Sequence, residues 1–143
     1  VPLIARWPGQ IAPGSVSDHI SAHWDMLPTF CELAGAEVPD ATDGISIVPT
    51  LLGKDDQKTH PYLYWEFYEG GGKRAVRMGD WKVVQLNLNK SQASPPLVFN
   101  LADDPGESRD LAAEQQEVLA RARAAFEDAH TPSAVWTWKA KIR

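Results

Sequence analysis

Between positions 62 and 101 three runs rich in aromatic and β-branched residues, YLYWEFY (62–68), RAVRMGDWKVVQL (74–86) and PLVFNL (96–101), alternate with stretches of turn-forming residues. Such side chains suit a pleated, half-buried surface, and the punctuation predicts strands that fold back on one another. Gly79-Asp80 interrupts the middle run and divides it into RAVRM and WKVVQL, so the pattern predicts a four-stranded antiparallel sheet. Gly70, Gly71 and Gly72 precede that run. A phosphate cradle needs a helix amino terminus after the glycines, and a β-rich run follows here, so a hairpin loop is the reading.

The flanks are helical. After the sheet, Leu111, Val118, Leu119, Ala122 and Phe126 make one apolar stripe across 108–130, which predicts an amphipathic helix covering one side of the sheet. Before it, Met26, Leu27, Phe30, Cys31 and Ala34 recur at helical spacing, with Asp25 placed to cap the amino end and Gly35 to end the helix in a left-handed conformation. VPLIARW, closed by Pro8-Gly9, reads as a strand and a turn. The run 45–52, with Pro49 inside it, is limited to a short helix or turn. A charged connection at 54–60 marks a change of composition, giving expected domains 1–55 and 56–143.

A chain of 143 residues suffices for a core, and 43% apolar with 23% charged residues describes an ordinary globular protein. The net charge of −5 argues against a nucleic-acid partner, because phosphate neutralisation requires a basic surface. Lys73, Arg74 and Arg77 beside Trp81 therefore read as the solvated face of an edge strand. Cys31 is the single cysteine, which excludes an intrachain disulfide and leaves the compartment open. No run reaches the roughly 18 apolar residues of a membrane-spanning helix.

The chemistry that can be read is sparse. No phosphate loop, HExxH, GxSxG or Cys/His cluster occurs. His19 and His23 are four apart but precede the helix, so loop or packing roles are expected in place of metal binding. Asp103-Asp104-Pro-Gly is turn chemistry, and Cys31, on the apolar stripe, is expected to be a buried small hydrophobe. Glu66, in aromatic surroundings, faces outward on strand alternation, with a place on a pocket rim as the alternative.

The order of the segments adds what no single motif carries. VPLIARWPGQIAPG, HWDMLPTFCELAGA, DGISIVPTLLG, GGGKRAVRMGDWKVV and VFNLADDPGESRDLAA follow one another in a pattern that resembles the C-terminal part of the sulfatase family. The match runs from Val1 to about Phe126; Asp110 stands where asparagine is usual, and Phe99-Asn100 where Tyr-Asp is usual.

This resemblance implies the end of an alkaline-phosphatase-like α/β domain followed by a small α+β subdomain, a four-stranded antiparallel sheet packed by a C-terminal helix. It implies an arylsulfatase-like sulfuric ester hydrolase as the parent protein, using calcium and a formylglycine nucleophile. Cys31, followed by Glu-Leu-Ala-Gly, does not match the nucleophile motif, so catalytic and metal residues are expected outside this chain and the chain alone is expected to be inactive. What the chain is expected to contribute is the rim of the substrate cleft, with His60, Glu66, Lys73 and Arg74 as candidate contacts to a sulfated small molecule or carbohydrate. The resemblance also suggests a periplasmic or secreted location, and self-association through exposed apolar surface at Val1 and the Asp25 helix is an expectation. A phosphodiesterase or phosphonate hydrolase of the same superfamily, or a free-standing carbohydrate- or protein-binding module, are the alternative readings.

Overall fold

The computed structural model describes residues 2–138 and divides the chain into two units, Val1–His60 and Pro61–Arg143. Residues 139–143, and the first residue of the expected amino-terminal strand, lie outside the described residues.

In the first unit residues 2–7 belong to no strand. The expected strand is absent there because an extended segment becomes a strand only beside a hydrogen-bonded neighbour. The turn after it does form, with the Trp7 carbonyl accepting from the amides of Gln10 (3.1 Å) and Ile11 (3.0 Å). A 3₁₀ turn (His23–Asp25) leads into α1 (Met26–Ala34), which ends at Gly35 in the left-handed region (φ 65°). Pro28 and Thr29 are the buried residues of α1, whereas Leu27 and Phe30 of the apolar stripe are exposed, Phe30 at 62%, in line with the apolar surface expected to be exposed on this helix. Cys31 is half-buried rather than fully buried. A one-turn helix, α2 (Val48–Leu51), carries Pro49 in its first turn, where a missing amide costs no helical bond.

The second unit holds β1 (Leu63–Phe67), β2 (Lys73–Met78), β3 (Trp81–Leu86) and β4 (Leu97–Asn100), antiparallel in the order β1-β2-β3-β4, and then α3 (Gln116–Ala129). Met78 pairs with Trp81, so Gly79-Asp80 is a two-residue turn, and only Gly79 of the two has positive φ (61°), the requirement of a type II′ hairpin. Val76, Met78, Val83 and Val98 on one sheet face meet Val118, Leu119, Ala122, Ala125 and Phe126 of α3. Burying each large apolar side chain contributes about 1.5–3 kcal/mol, which makes this layer the source of the unit's stability.

The helix begins eight residues later than the stripe suggested. Asp110 Oδ1 accepts from the amides of Val98 and Ala112 (both 2.9 Å), and the Leu111 amide donates to the Val98 carbonyl (2.8 Å). Residues 110 and 111 are thus tied to β4 and cannot enter a helix, although Leu111 still packs against the core. The preceding turn is as expected: Asp104 accepts from the amides of Ser108 (2.7 Å) and Arg109 (2.9 Å), and these bonds, the Arg109 amide above all, hold its carboxyl below the usual range.

Candidate functional site

Strand pairing sets the site. β2 is an inner strand, not the expected edge, and the period of two places Arg74 on the α3-covered face with Val76 and Met78, while Lys73 and Arg77 lie on the other. Glu66 is the register partner of Arg74 and therefore shares the covered face with Tyr64. The outward orientation expected for Glu66 is corrected accordingly.

Glu66 is the acceptor at the centre of a small network. Its Oε2 accepts from the Tyr64 hydroxyl (2.5 Å) and from Nδ1 of His130 (2.9 Å), and its Oε1 accepts from the Tyr68 hydroxyl (3.1 Å). Partial burial alone would raise the Glu66 carboxyl, but the bonds from Tyr64, His130 and Tyr68, with the charge of His130, together hold it below the ordinary glutamate range. Burial and the bond to Glu66 push the Tyr64 hydroxyl well above its ordinary value, so it remains a donor. His130 follows directly on α3, and its Nε2 makes no hydrogen bond among the described residues.

An aromatic group adjoins this network. The Tyr68 ring stacks parallel on Trp138 (centroids 4.1 Å apart, planes 7° apart) and lies 5.9 Å from Trp136; His130 is 6.4 Å from Trp138. Beneath Trp138 is the glycine loop. A Cβ on Gly72 would stand 3.0 Å from the Trp138 ring and 2.9 Å from the Asn89 amide nitrogen, and its φ of 76° is one that side chains rarely adopt. The loop is pinned by the Leu88 and Asn89 amides, which donate to the carbonyls of Gly72 (3.0 Å) and Gly71 (2.8 Å), and by the Asn89 side chain on the Tyr68 carbonyl.

Arg74 has other partners. Its Nε and Nη2 donate to Gln85 Oε1 (3.0 and 2.8 Å), and its guanidinium lies 4.2 Å from the Phe126 ring centroid. Burial lowers its pKa, opposed by Tyr64, Glu127 and Glu66. Lys73, exposed on the opposite face, sits 5.5 Å from the Phe67 ring centroid.

His60 belongs to the first unit. Its Nε2 is 2.8 Å from Oδ1 of Asp25, a fully buried carboxylate that also accepts from the amides of Ile45 (2.9 Å, Oδ1) and Ala22 (2.6 Å, Oδ2). Asp25 thus does not cap α1 with its side chain, as the sequence suggested; it joins the segments around 22, 45 and 60. His19 lies in the same electrostatic field, its pKa lowered by burial and by His60 against the pull of Asp25.

The four candidate contacts are therefore not one constellation. His60 is held by Asp25, Arg74 by Gln85, Lys73 faces the other side of the sheet, and Glu66 alone enters the aromatic network. Tyr64, Tyr68 and His130 were missed. The signal for the tyrosines was present, since Tyr64, Glu66 and Tyr68 share one face at a period of two; that for His130 is only its place after the helix stripe.

A helical unit followed by an antiparallel four-stranded sheet under one helix is the arrangement found in sulfatases of the alkaline-phosphatase-like fold. A solved 2-O GAG sulfatase matches with TM-score 0.60 and 32% identity over 73% of this chain and 23% of its own. A structure solved in complex with its substrate D-glucosamine-2-N,6-O-disulfate matches with TM-score 0.71 and 25% identity over 86% of this chain and 26% of its own.

The family model for N-sulphoglucosamine sulphohydrolase, C-terminal, matches residues 1–129, and the chain belongs to that family. Arylsulfatase A of Bos taurus is 35% identical over 85% of this chain, and the Δ4,5-hexuronate-2-O-sulfatase of Bacteroides thetaiotaomicron 33% over 93%. The chain spans 28% and 29% of the length of these two relatives.

Proposed function

We propose that this chain is the C-terminal portion of a sulfatase that hydrolyses sulfate esters of carbohydrates, and that it supplies part of the cleft rim. The match of the family model over residues 1–129 carries the reading. Carbohydrate is favoured as the substrate class because similar proteins include a hexuronate sulfatase and one bound to a disulfated glucosamine, and because Glu66, His130 and the tyrosines offer polar groups beside aromatic rings.

The residues present do not fit the calcium and formylglycine of a sulfatase. Among the described residues no group of three or more His, Cys, Asp or Glu side chains could hold a metal ion, and Cys31 lies within α1 without the nucleophile motif. Hydrolysis is therefore assigned to the whole protein. Of the candidate contacts, Glu66 acts through His130, Lys73 is free to meet an anionic group, and His60 and Arg74 maintain local structure. We further propose two domains divided within the connection at 54–60, and an exported location.

The test compares full-length protein with the chain alone on 4-nitrophenyl sulfate, a sulfated disaccharide and bis(4-nitrophenyl) phosphate. Sulfate release by the full-length protein and none by the chain is expected; preference for the phosphodiester, or turnover by the chain alone, would overturn the reading.

A further inference from the structure

We propose that Trp136, beside a Tyr68 ring that is itself stacked on Trp138, is a stacking subsite for a pyranose ring of the substrate, with His130, 6.4 Å from Trp138, as a polar group beside the stack. The proposal rests on the carbohydrate reading above and adds the place where the sugar is held.

None of the three aromatic residues belongs to the hydrophobic core between sheet and helix. They form a separate cluster in which Trp136 remains 57% exposed, although a large ring ordinarily gains by burial. Its backbone is nevertheless held locally. Ser133 Oγ accepts from the amides of Val135 (3.2 Å) and Trp136 (3.1 Å), closing a local turn. Tyr68, beside it, is anchored through its hydroxyl to Glu66, and Trp138 is clamped between Tyr68 and Gly72. A partly exposed aromatic surface braced by a neighbouring ring loses less conformational freedom on binding than a free side chain.

The chemistry matches a sugar. The C–H face of a pyranose carries slight positive charge and meets the negative face of an aromatic ring, while its hydroxyls need a few fixed polar groups at the edge. His130 provides one. Its Nδ1 donates to Glu66, which in the neutral ring leaves Nε2 to accept from a hydroxyl of the ligand. The negative charge of Glu66 is already met by three donors, so it does not stand open against an anionic ligand.

The experiment uses full-length protein carrying Trp136→Ala or Trp136→Tyr, with a sulfated disaccharide and 4-nitrophenyl sulfate as parallel substrates. Trp136→Ala is expected to raise KM for the disaccharide about tenfold and leave the aryl sulfate kinetics unchanged, and Trp136→Tyr to recover most of the loss. Unchanged disaccharide kinetics, or an equal effect on both substrates, would overturn the subsite. Tryptophan fluorescence titrated with the same disaccharide separates this from the catalytic reading. Quenching that Trp136→Ala abolishes, in a protein that releases no sulfate, sustains the subsite and removes the sulfatase reading. Absence of quenching in the unmodified protein overturns the subsite whatever the turnover.

Discussion

Glu66 and Arg74 stand directly opposite each other on β1 and β2 with opposite charges, and neither is the other's hydrogen-bond partner. Glu66 takes Tyr64, Tyr68 and His130; Arg74 takes Gln85 and the face of Phe126. The covered face of the sheet therefore ends in two polar arrangements, one structural and one adjoining an exposed aromatic surface.

The Glu66 arrangement makes stability depend on acid. Its folded-state pKa lies below the unfolded value, so its contribution is complete above about pH 4.3 and is lost as pH falls through the folded value. Glu66→Gln is expected to lower stability at neutral pH by about 1–2 kcal/mol, because hydrogen bonds to a charged acceptor are replaced by bonds to a neutral amide. The variant should also show a shallower fall in melting temperature than the unmodified protein as pH falls below about 5. His19, lowered by burial, adds a loss that starts as pH drops below about 6.5, and that part should be the same in both proteins. Equal slopes below pH 5 would remove Glu66 as the titrating group.

Arg74 is only 8% exposed, and its two bonds converge on one oxygen beneath a ring. A lysine ammonium cannot reproduce the planar fork or its stacking, so Arg74→Lys is expected to cost about 2 kcal/mol in urea unfolding. Lys73→Ala, on the exposed face, should change stability by no more than about 0.5 kcal/mol. Equal effects at the two positions would contradict the assigned faces.

The sheet was legible because its residues announce it: aromatic and β-branched runs, Gly79-Asp80 between two of them, and a stripe for the helix that covers one face. Side-chain partners were less so. Asp25 occupies a capping position in the sequence, yet its carboxylate is drawn to the amides of Ala22 and Ile45 and to His60, a choice made by chain path rather than by helix propensity. The inward side of α1 was not legible either: Thr29, outside the apolar stripe, is held inward by bonds to the Asp25 carbonyl (2.6 Å) and the Ile47 amide (3.0 Å). Of the site, Glu66 could be read from its strand, but the stack of Tyr68 on Trp138 joins residues 70 positions apart, and local pattern carries no information about such a pair.

Asp25 gives the largest expected stability effect. It is fully buried, and Asp25→Ala would leave two amides and a histidine without their acceptor. The expected cost is about 3–5 kcal/mol, the sum of leaving several buried polar groups unpaired. Asp25→Asn, which keeps one acceptor oxygen, should cost less. A cost for Asp25→Ala below about 1 kcal/mol, measured by denaturant unfolding, would show that these bonds are replaced by water.

The glycine loop offers a test with an internal control. Gly70 and Gly72 both have positive φ, 61° and 76°, but a Cβ at Gly70 meets nothing within 4 Å, whereas one at Gly72 meets Asn89 at 2.9 Å and Trp138 at 3.0 Å. Gly70→Ala therefore bears only the left-handed backbone penalty of about 1 kcal/mol. Gly72→Ala adds overpacking of about 1–3 kcal/mol and must displace either the Asn89 backbone or the indole. The Asn89 amide is fixed by its bond to Gly71, so the indole is the part expected to move. A change in tryptophan emission confined to Gly72→Ala, with the greater loss of melting temperature, is the expected result. Because Trp138 supports Tyr68 in the proposed sugar subsite, the same variant should weaken saccharide binding while Gly70→Ala leaves it intact. Equal behaviour of the two variants would show that the third glycine supports turn geometry alone.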